Sequence, residues 1–85
     1  MQKKENIIED KLLKYFINNF PDIKKLKKVP KDKSLVELGY LDSFAVIDMV
    51  TFIEKEWNIK IEDSEITKKY MGSINKMVKL IQKKI

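Results

Sequence analysis

The side chain that stands out for chemistry is the hydroxyl of Ser43, in the stretch LVELGYLDSFAVIDMV. It follows Asp42 at what the pattern predicts to be the start of a helix. A catalytic serine needs a general base, usually an imidazole, and the chain contains no histidine. It also contains no cysteine, so it supplies neither a thiol nucleophile nor a thiolate metal ligand. Ser43 is therefore either a helix cap or a residue to which another enzyme attaches a group.

The composition argues against an enzyme that works alone. Eighty-five residues suffice for one small domain over residues 1–85. Without histidine and cysteine, no metal site is predicted, and we expect a protein that is not an enzyme. The N-terminal MQKKENIIEDKLLKYF is charged throughout, unlike a signal peptide, and no segment approaches the roughly 18 apolar residues that span a membrane. The expectation is a soluble, cytoplasmic, monomeric protein.

The net charge of +5 is distributed unevenly along the chain. Residues 1–34 carry ten lysines and five acids, and residues 67–85 carry six lysines and no acid. Residues 35–66 carry eight acids and two lysines, which gives this middle segment a net charge of −6. We therefore expect partners of the middle segment to be basic, whatever the overall charge.

The first third of the chain predicts one helix and a long loop. The helix is expected over residues 4–19, where a broad apolar face has helical spacing. This face consists of Ile8, Leu12 and Phe16, flanked by Ile7, Leu13 and Ile17. Pro21 disfavours continuation of the helix, so the lysine-rich residues 21–34 are expected to form a loop. A short helical turn in SLVELGY is expected to stop at Gly39, which accepts positive φ at little cost.

The second predicted helix is the best marked, because it runs to Trp57 without glycine or proline. Either Asp42 or Ser43 supplies its capping oxygen, and the sequence leaves both open. The predicted core stripe consists of Val46, Met49, Val50, Ile53 and Trp57. A second stripe mixes apolar and polar residues, as a partly exposed docking face does, and consists of Phe44, Ile47, Asp48, Thr51 and Lys55.

The last third predicts two further helices. NIKIED is expected to be an extended link that turns Ile59 and Ile61 inward, and SEITKKYM a short third helix that ends near Gly72. Ser73 is expected to cap the last helix. The apolar side of that helix consists of Ile74, Met77, Val78, Ile81 and Ile85. These elements predict an all-α fold, a small four-helix bundle with a long loop between the first two helices and a short third helix.

With these elements placed, the chain resembles the acyl and peptidyl carrier proteins, whose serine carries 4′-phosphopantetheine. The likeness rests on LGYLDSFAVIDMV, in which leucine, glycine and a short apolar step precede Asp-Ser-Phe at a helix start. It continues through FIEKEWNIKIEDSEI and MGSINKMVKLI, and so covers essentially the whole chain. The resemblance implies a carrier of acyl or aminoacyl intermediates, held as thioesters on the phosphopantetheine arm.

The resemblance also implies roles for individual residues. Ser43 would be the attachment site, which suits a serine at the positive end of a helix dipole because a phosphate is favoured there. Asp42 would help the phosphopantetheinyl transferase to engage. The face recognised by this enzyme, by the loading enzyme and by downstream transferases would consist of Phe44, Ile47, Asp48 and Thr51, with Glu54 and Glu56 adding negative potential. The basic ends, uncommon in this family, point to a dedicated pathway of fatty-acid or secondary-metabolite biosynthesis.

Other interpretations need no prosthetic group. Ser43 as a helix cap alone would contribute about 1 kcal/mol. Phe44 and Ile47 could belong to the core, where Phe52 and Trp57 are expected, with shaping of an acyl pocket as an alternative role for the latter two. The pI of about 9.4 suits a small nucleic-acid-binding protein, but the chain has no arginine to read guanine, and its second helix is acidic. A helical adaptor is the remaining alternative.

Overall fold

A computed structural model describes the backbone of residues 3–85 and the side chains from Ile7 onward. Within this range the helices are α1 (Lys3–Asn19), α2 (Pro21–Lys24), α3 (Ser43–Trp57), α4 (Lys68–Met71) and α5 (Ile74–Lys84). A 3₁₀ turn at Asp63–Glu65 precedes α4, and residues 3–85 contain no strand. The predicted small all-α bundle is confirmed, with three long helices and two single-turn helices.

The core lies where the inner faces of the long helices meet. Helix α5 packs against α1 and α4, and α1 also packs against α2. The largest fully buried side chains come from several of the helices and from the turn before α3: Ile8, Leu12, Phe16, Ile23, Leu35, Met49, Ile53, Ile74, Met77 and Ile81. Burying one such side chain contributes about 1.5–3 kcal/mol, so apolar contact holds the helices together.

The connection between α1 and α3 begins with a helical turn, and the prediction of a loop is wrong at this point. Pro21 ends α1 because it has no N–H to donate, yet its fixed φ suits the first position of the next helix. Ile23 anchors this turn because its side chain is completely buried. Residues 25–34 are irregular as predicted, and the carbonyl of Lys31 ties them to α5 by accepting the N–H of Asn75 at 2.9 Å.

Helix α3 has the predicted end, but its core stripe begins one residue earlier than predicted. The buried residues are Ala45, Met49, Val50 and Ile53. Val46 and Trp57, which were predicted in this stripe, are only partly buried. Phe52 stacks on Tyr15 of α1 with their ring centroids 4.3 Å apart, and Trp57 meets Phe52 edge-on at 5.9 Å. The C-terminal half of α3 is therefore attached to α1 by aromatic contacts.

The link after α3 is extended, as predicted. Asn58 ends the helix with a φ of +52°, in the left-handed region that asparagine tolerates better than most residues. Ile61 is buried and Ile59 partly buried. The Oε2 atom of Glu54 accepts the N–H of Ile61 at 2.9 Å. This bond holds the link against the helix that it leaves.

The third predicted helix is shorter than expected and is preceded by the separate 3₁₀ turn. Gly72 ends α4, and a side chain at this position would collide with the carbonyl oxygen of Lys68. Ser73 caps α5, as predicted, by accepting the N–H of Lys76 at 3.2 Å. The apolar side of α5 is confirmed except for Ile85, which is 50% exposed, whereas Leu80 is buried.

Candidate functional site

The candidate site is the N-terminal end of α3, where Asp42 is the capping residue. Its backbone is extended, with φ −104° and ψ −174°, and its Oδ1 atom accepts the N–H of Ala45 at 2.8 Å. Ser43 is the first helical residue. Of the two caps that the sequence allowed, Asp42 is the one used. The hydroxyl of Ser43 is therefore not needed to start the helix.

Ser43 is exposed to solvent beside free backbone donors. The N–H groups of Ser43 and Phe44 have no acceptor within the described part of the chain, as expected for the first turn of a helix. The start of a helix also carries the equivalent of roughly +0.5 charge. An anionic group attached to this hydroxyl would therefore meet hydrogen-bond donors and a favourable potential.

The turn before α3 determines where this helix begins. Gly39 has a φ of +89°, the left-handed conformation at which the sequence predicted the helical turn to stop. The turn is closed by the N–H of Leu38, which donates to the carbonyl of Ser34 at 3.0 Å. Leu35 and Leu41, on either side of the glycine, are both buried. The chain is thus anchored in the core immediately before it emerges at Asp42.

The outer face of α3 consists of Phe44, Ile47, Asp48 and Thr51, all of them exposed. Phe44 is 79% and Ile47 is 61% exposed, so the interpretation that they belong to the core is wrong. The Thr51 hydroxyl donates to the carbonyl of Ile47 at 3.1 Å, which fixes its orientation on the helix. The structure thus places all four residues toward solvent, on the helix that begins at Ser43.

The structure directs the carboxylates of Glu54 and Glu56 to partners within the chain. Glu54 is partly buried and accepts the N–H of Ile61, and Glu56 forms an ion pair of 2.6 Å with Lys11 of α1. Asp48 makes no ion pair with the described side chains. Burial raises the pKa of the Tyr15 phenol, and the charge of Asp48 raises it further. Of these three acids, Asp48 is therefore the one whose carboxylate has no ion-pair or hydrogen-bond partner among the described residues.

A cavity of about 230 Å³ opens beside the start of α3. It lies between the turn at 34–41, α3 and residues 66–72, and its apolar lining consists of Val36, Leu41, Val46, Met49, Ile66 and Met71. Glu37 and Lys68 also line it and form an ion pair. Phe52 and Trp57 are not part of its wall. Sequence reasoning missed this cavity because residues 66–72, which are distant in the chain from the turn at 34–41 and from α3, close it.

No helix among residues 3–85 is both long and apolar enough to cross a bilayer. No group of three or more acidic side chains in this range is placed to hold a metal ion.

A known protein and a solved structure each match almost the whole chain. The probable acyl carrier protein PigG of Serratia sp. (strain ATCC 39006) is 30% identical over 77 residues, which span 91% of this chain and 87% of that protein. The crystal structure of an acyl carrier protein from Thermotoga maritima matches with a TM-score of 0.74 and 30% sequence identity, covering 95% of this chain and 89% of that one. No protein-family model matches the chain.

Proposed function

The chain belongs to the acyl carrier protein family, and from that premise we propose that it holds acyl or aminoacyl intermediates as thioesters on a 4′-phosphopantetheine arm attached to Ser43. Acyl carrier proteins are carriers rather than enzymes, so its residues present a cargo that other proteins transform. The observation that carries the proposal is an exposed Ser43 at the first position of α3, next to a different residue that caps the helix. We propose that residues 1–85 form one carrier domain.

The residues at the start of α3 suit this modification. The chain has no histidine, so a transferase must remove the proton from the Ser43 hydroxyl. The N–H groups of Ser43 and Phe44 favour the phosphate that would then be attached. Only one carboxylate oxygen of Asp42 accepts the Ala45 N–H, which leaves the other for contact with the transferase. The arm supplies a thiol, a group that a chain without cysteine lacks.

The cavity beside α3 supports an apolar acyl group as the cargo. Its walls are mostly aliphatic, and an aminoacyl group would have to bring its ammonium into contact with them, at a cost in desolvation. The basic ends of the chain support a role in a dedicated pathway of fatty-acid or secondary-metabolite biosynthesis. A nucleic-acid-binding protein is a weaker alternative, because all eighteen cationic side chains are lysines and arginine is absent.

The proposed partners are a phosphopantetheinyl transferase, an enzyme that loads the cargo, and transferases that receive it. We propose that they contact the outer face of α3, which consists of Phe44, Ile47, Asp48 and Thr51. Glu54 lies at the margin of this face because its carboxylate is bound to the Ile61 backbone. The encounters are transient, and the carrier is a monomer between them.

Intact-mass measurement after reaction with coenzyme A and a phosphopantetheinyl transferase tests the proposal. The wild type should gain one phosphopantetheine, and Ser43→Ala should gain none while keeping the same circular dichroism spectrum. Ser64→Ala is the matched control because Ser64 is also exposed, in the 3₁₀ turn, and should be loaded like the wild type. An unmodified wild type would rule out the carrier mechanism and leave the helical adaptor.

A further inference from the structure

Three lysines occupy the solvent-exposed side of α5. Lys76, Lys79 and Lys83 are all exposed, and at 3.6 residues per turn they lie within an arc of about 60° around the helix axis. None of them forms an ion pair with the described side chains, and residues 74–85 contain no acid. Between Ile74 and Lys84 the exposed side chains are all polar. The outer side of α5 is therefore a row of positive charges.

Two lysines from other segments extend this row at the start of α5. Lys33 and Lys68 line an open cleft together with Lys76, whose Nζ atom donates to the carbonyl of Lys68 at 3.4 Å. Asp32 and Glu37 also line the cleft, and Glu37 forms an ion pair with Lys68. The fold thus joins three segments of the chain into one basic surface. We refer to its five lysines as the α5 lysine surface: Lys33, Lys68, Lys76, Lys79 and Lys83.

The acids next to this surface do not cancel its charge. Asp32 and Glu37 compensate two of the five lysines, which leaves a net charge of 5 − 2 = +3. Two further acids close to α5 are already paired with lysines outside the surface, in the ion pairs Lys31–Glu9 and Lys84–Glu65. The α5 lysine surface therefore keeps a positive potential toward solvent, and we expect its partner to be anionic.

The side chains of this surface suit an anionic membrane better than an acidic protein. A lysine ammonium is a hydrated point charge on a flexible stem, so it needs no partner of fixed geometry, and lipid headgroups supply mobile anions. Protein interfaces instead rely on aromatic and arginine anchors and are depleted in lysine. The apolar side chain at the edge of the cleft is Leu38, which is 47% exposed and is suited to enter the headgroup region.

We propose that the α5 lysine surface binds reversibly to membranes that contain anionic phospholipids. The protein stays folded at the membrane, because the apolar side of α5 is buried in the core and is not available for insertion. Each lysine near an anionic leaflet strengthens binding about five-fold, and three net charges therefore strengthen it about 100-fold. This binding goes beyond the carrier function and requires neither Ser43 nor its modification.

Sedimentation of the unmodified wild type with lipid vesicles is the first test. One set of vesicles contains phosphatidylcholine alone, and the other contains equal amounts of phosphatidylcholine and phosphatidylglycerol. At about 20 mM sodium chloride the protein should sediment only with the anionic vesicles, and at about 300 mM its affinity for them should fall at least about ten-fold. Absence of binding to anionic vesicles at low salt, or equal binding to both sets, would overturn the proposal.

A pair of charge-matched double variants locates the binding surface. The test variant combines Lys79→Gln with Lys83→Gln, and the control combines Lys55→Gln with Lys60→Gln, two exposed lysines outside the surface. Each variant lowers the net charge by two, from +5 to 5 − 2 = +3. The test variant should bind anionic vesicles about 20-fold more weakly than the wild type, and the control should stay within about three-fold. Equal losses in both variants would show that net charge alone is responsible and would overturn the proposal.

A competing anion and the carrier function are tested separately. Duplex DNA at the same phosphate concentration should bind the wild type more weakly than the anionic vesicles do, and tighter binding to DNA would overturn the choice of a membrane as the partner. Ser43→Ala should bind anionic vesicles like the wild type. Loading with phosphopantetheine but no vesicle binding would count against this proposal alone, and vesicle binding without loading would count against the carrier function alone.

Discussion

Two helices of this protein begin beside a serine, and the two serines have different roles. At the start of α5, Ser73 is itself the cap: its Oγ accepts the N–H of Lys76 at 3.2 Å, and the residue is only 4% exposed. At the start of α3, Asp42 is the cap and Ser43, one position later, is exposed. The difference lies in which residue supplies the oxygen that the first turn of the helix requires.

The comparison shows how a hydroxyl becomes available for modification. One side-chain acceptor satisfies the helix start, and when an acid provides it, the following serine has no structural task. In Gly-Ser no such acid precedes the serine, so Ser73 accepts the bond and is buried in doing so. In Asp-Ser the hydroxyl of Ser43 stays in solvent beside free N–H groups. The residue before the serine therefore separates a structural serine from one that a transferase can reach.

The largest contrast is expected between alanine variants of the two serines. Ser43→Ala should abolish loading and change the free energy of unfolding by less than about 0.5 kcal/mol. Ser73→Ala should be loaded normally, but its free energy of unfolding should fall by about 1 kcal/mol, because the cap of α5 is removed. Intact mass measures loading, and urea unfolding measures stability. If Ser73→Ala kept its fold but could not be loaded, the distinction between a capping Ser73 and a modified Ser43 would be wrong.

A smaller effect is expected at the acid that caps α3. Asp42→Ala should lower the free energy of unfolding by about 1 kcal/mol, since the Ala45 N–H loses its acceptor. Asp42→Asn retains a capping oxygen, so its free energy of unfolding should fall by only a few tenths of a kcal/mol. Urea unfolding of the two variants measures the difference. Equal stability of Asp42→Ala and the wild type would mean that Ser43 can take over the cap.

The smallest effect is expected at the start of the 3₁₀ turn at Asp63–Glu65. Here, as at the start of α3, an acidic side chain accepts a free backbone N–H. The Glu65 carboxylate accepts the N–H of Glu62, and this bond, aided by Lys84, lowers the pKa of Glu65 from its usual 4.5. Since the folded pKa is lowered, the contribution to stability is fully present above pH 4.5 and is lost as the pH falls through the folded pKa.

Replacing Glu65 by glutamine tests this pH dependence. Glu65→Gln keeps an acceptor oxygen but cannot be protonated in this range. The difference in unfolding free energy between the wild type and this variant should therefore shrink as the pH is lowered below 4.5. Urea unfolding at a series of pH values measures it. A difference that does not change with pH would show that the carboxylate bond contributes nothing.

Features set by neighbouring residues could be predicted from the sequence. The extent of α3, the cap of α5 and the positive φ of Gly39 each depend on a few consecutive side chains. The sequence predicted that Pro21 ends α1 but not that it begins α2, because proline is compatible with both roles. The predicted core stripe of α3 begins at Val46, whereas the buried residue is Ala45. Neighbouring positions differ by only about 100° around the helix axis, so the edge of the stripe is poorly defined by the sequence.

Features that join distant parts of the chain could not be predicted. The pair between Lys11 and Glu56 spans 45 residues, and no local pattern marks it. The bond from Ile61 to Glu54 depends on how the extended link returns to α3, so the sequence assigned Glu54 to free surface charge. The cavity beside the start of α3 likewise requires that three segments meet. Residue types thus indicated the site, and the fold decided which of its charges are exposed.

Locating the modified residue tests the central claim most directly. The wild-type protein is loaded with phosphopantetheine, digested, and analysed by fragmentation mass spectrometry. We predict one group per chain, on the hydroxyl of Ser43 in the peptide that contains LDSF. Attachment at Ser34, Ser64 or Ser73, or no attachment at all, would contradict the claim that the start of α3 presents the hydroxyl that makes this protein a carrier.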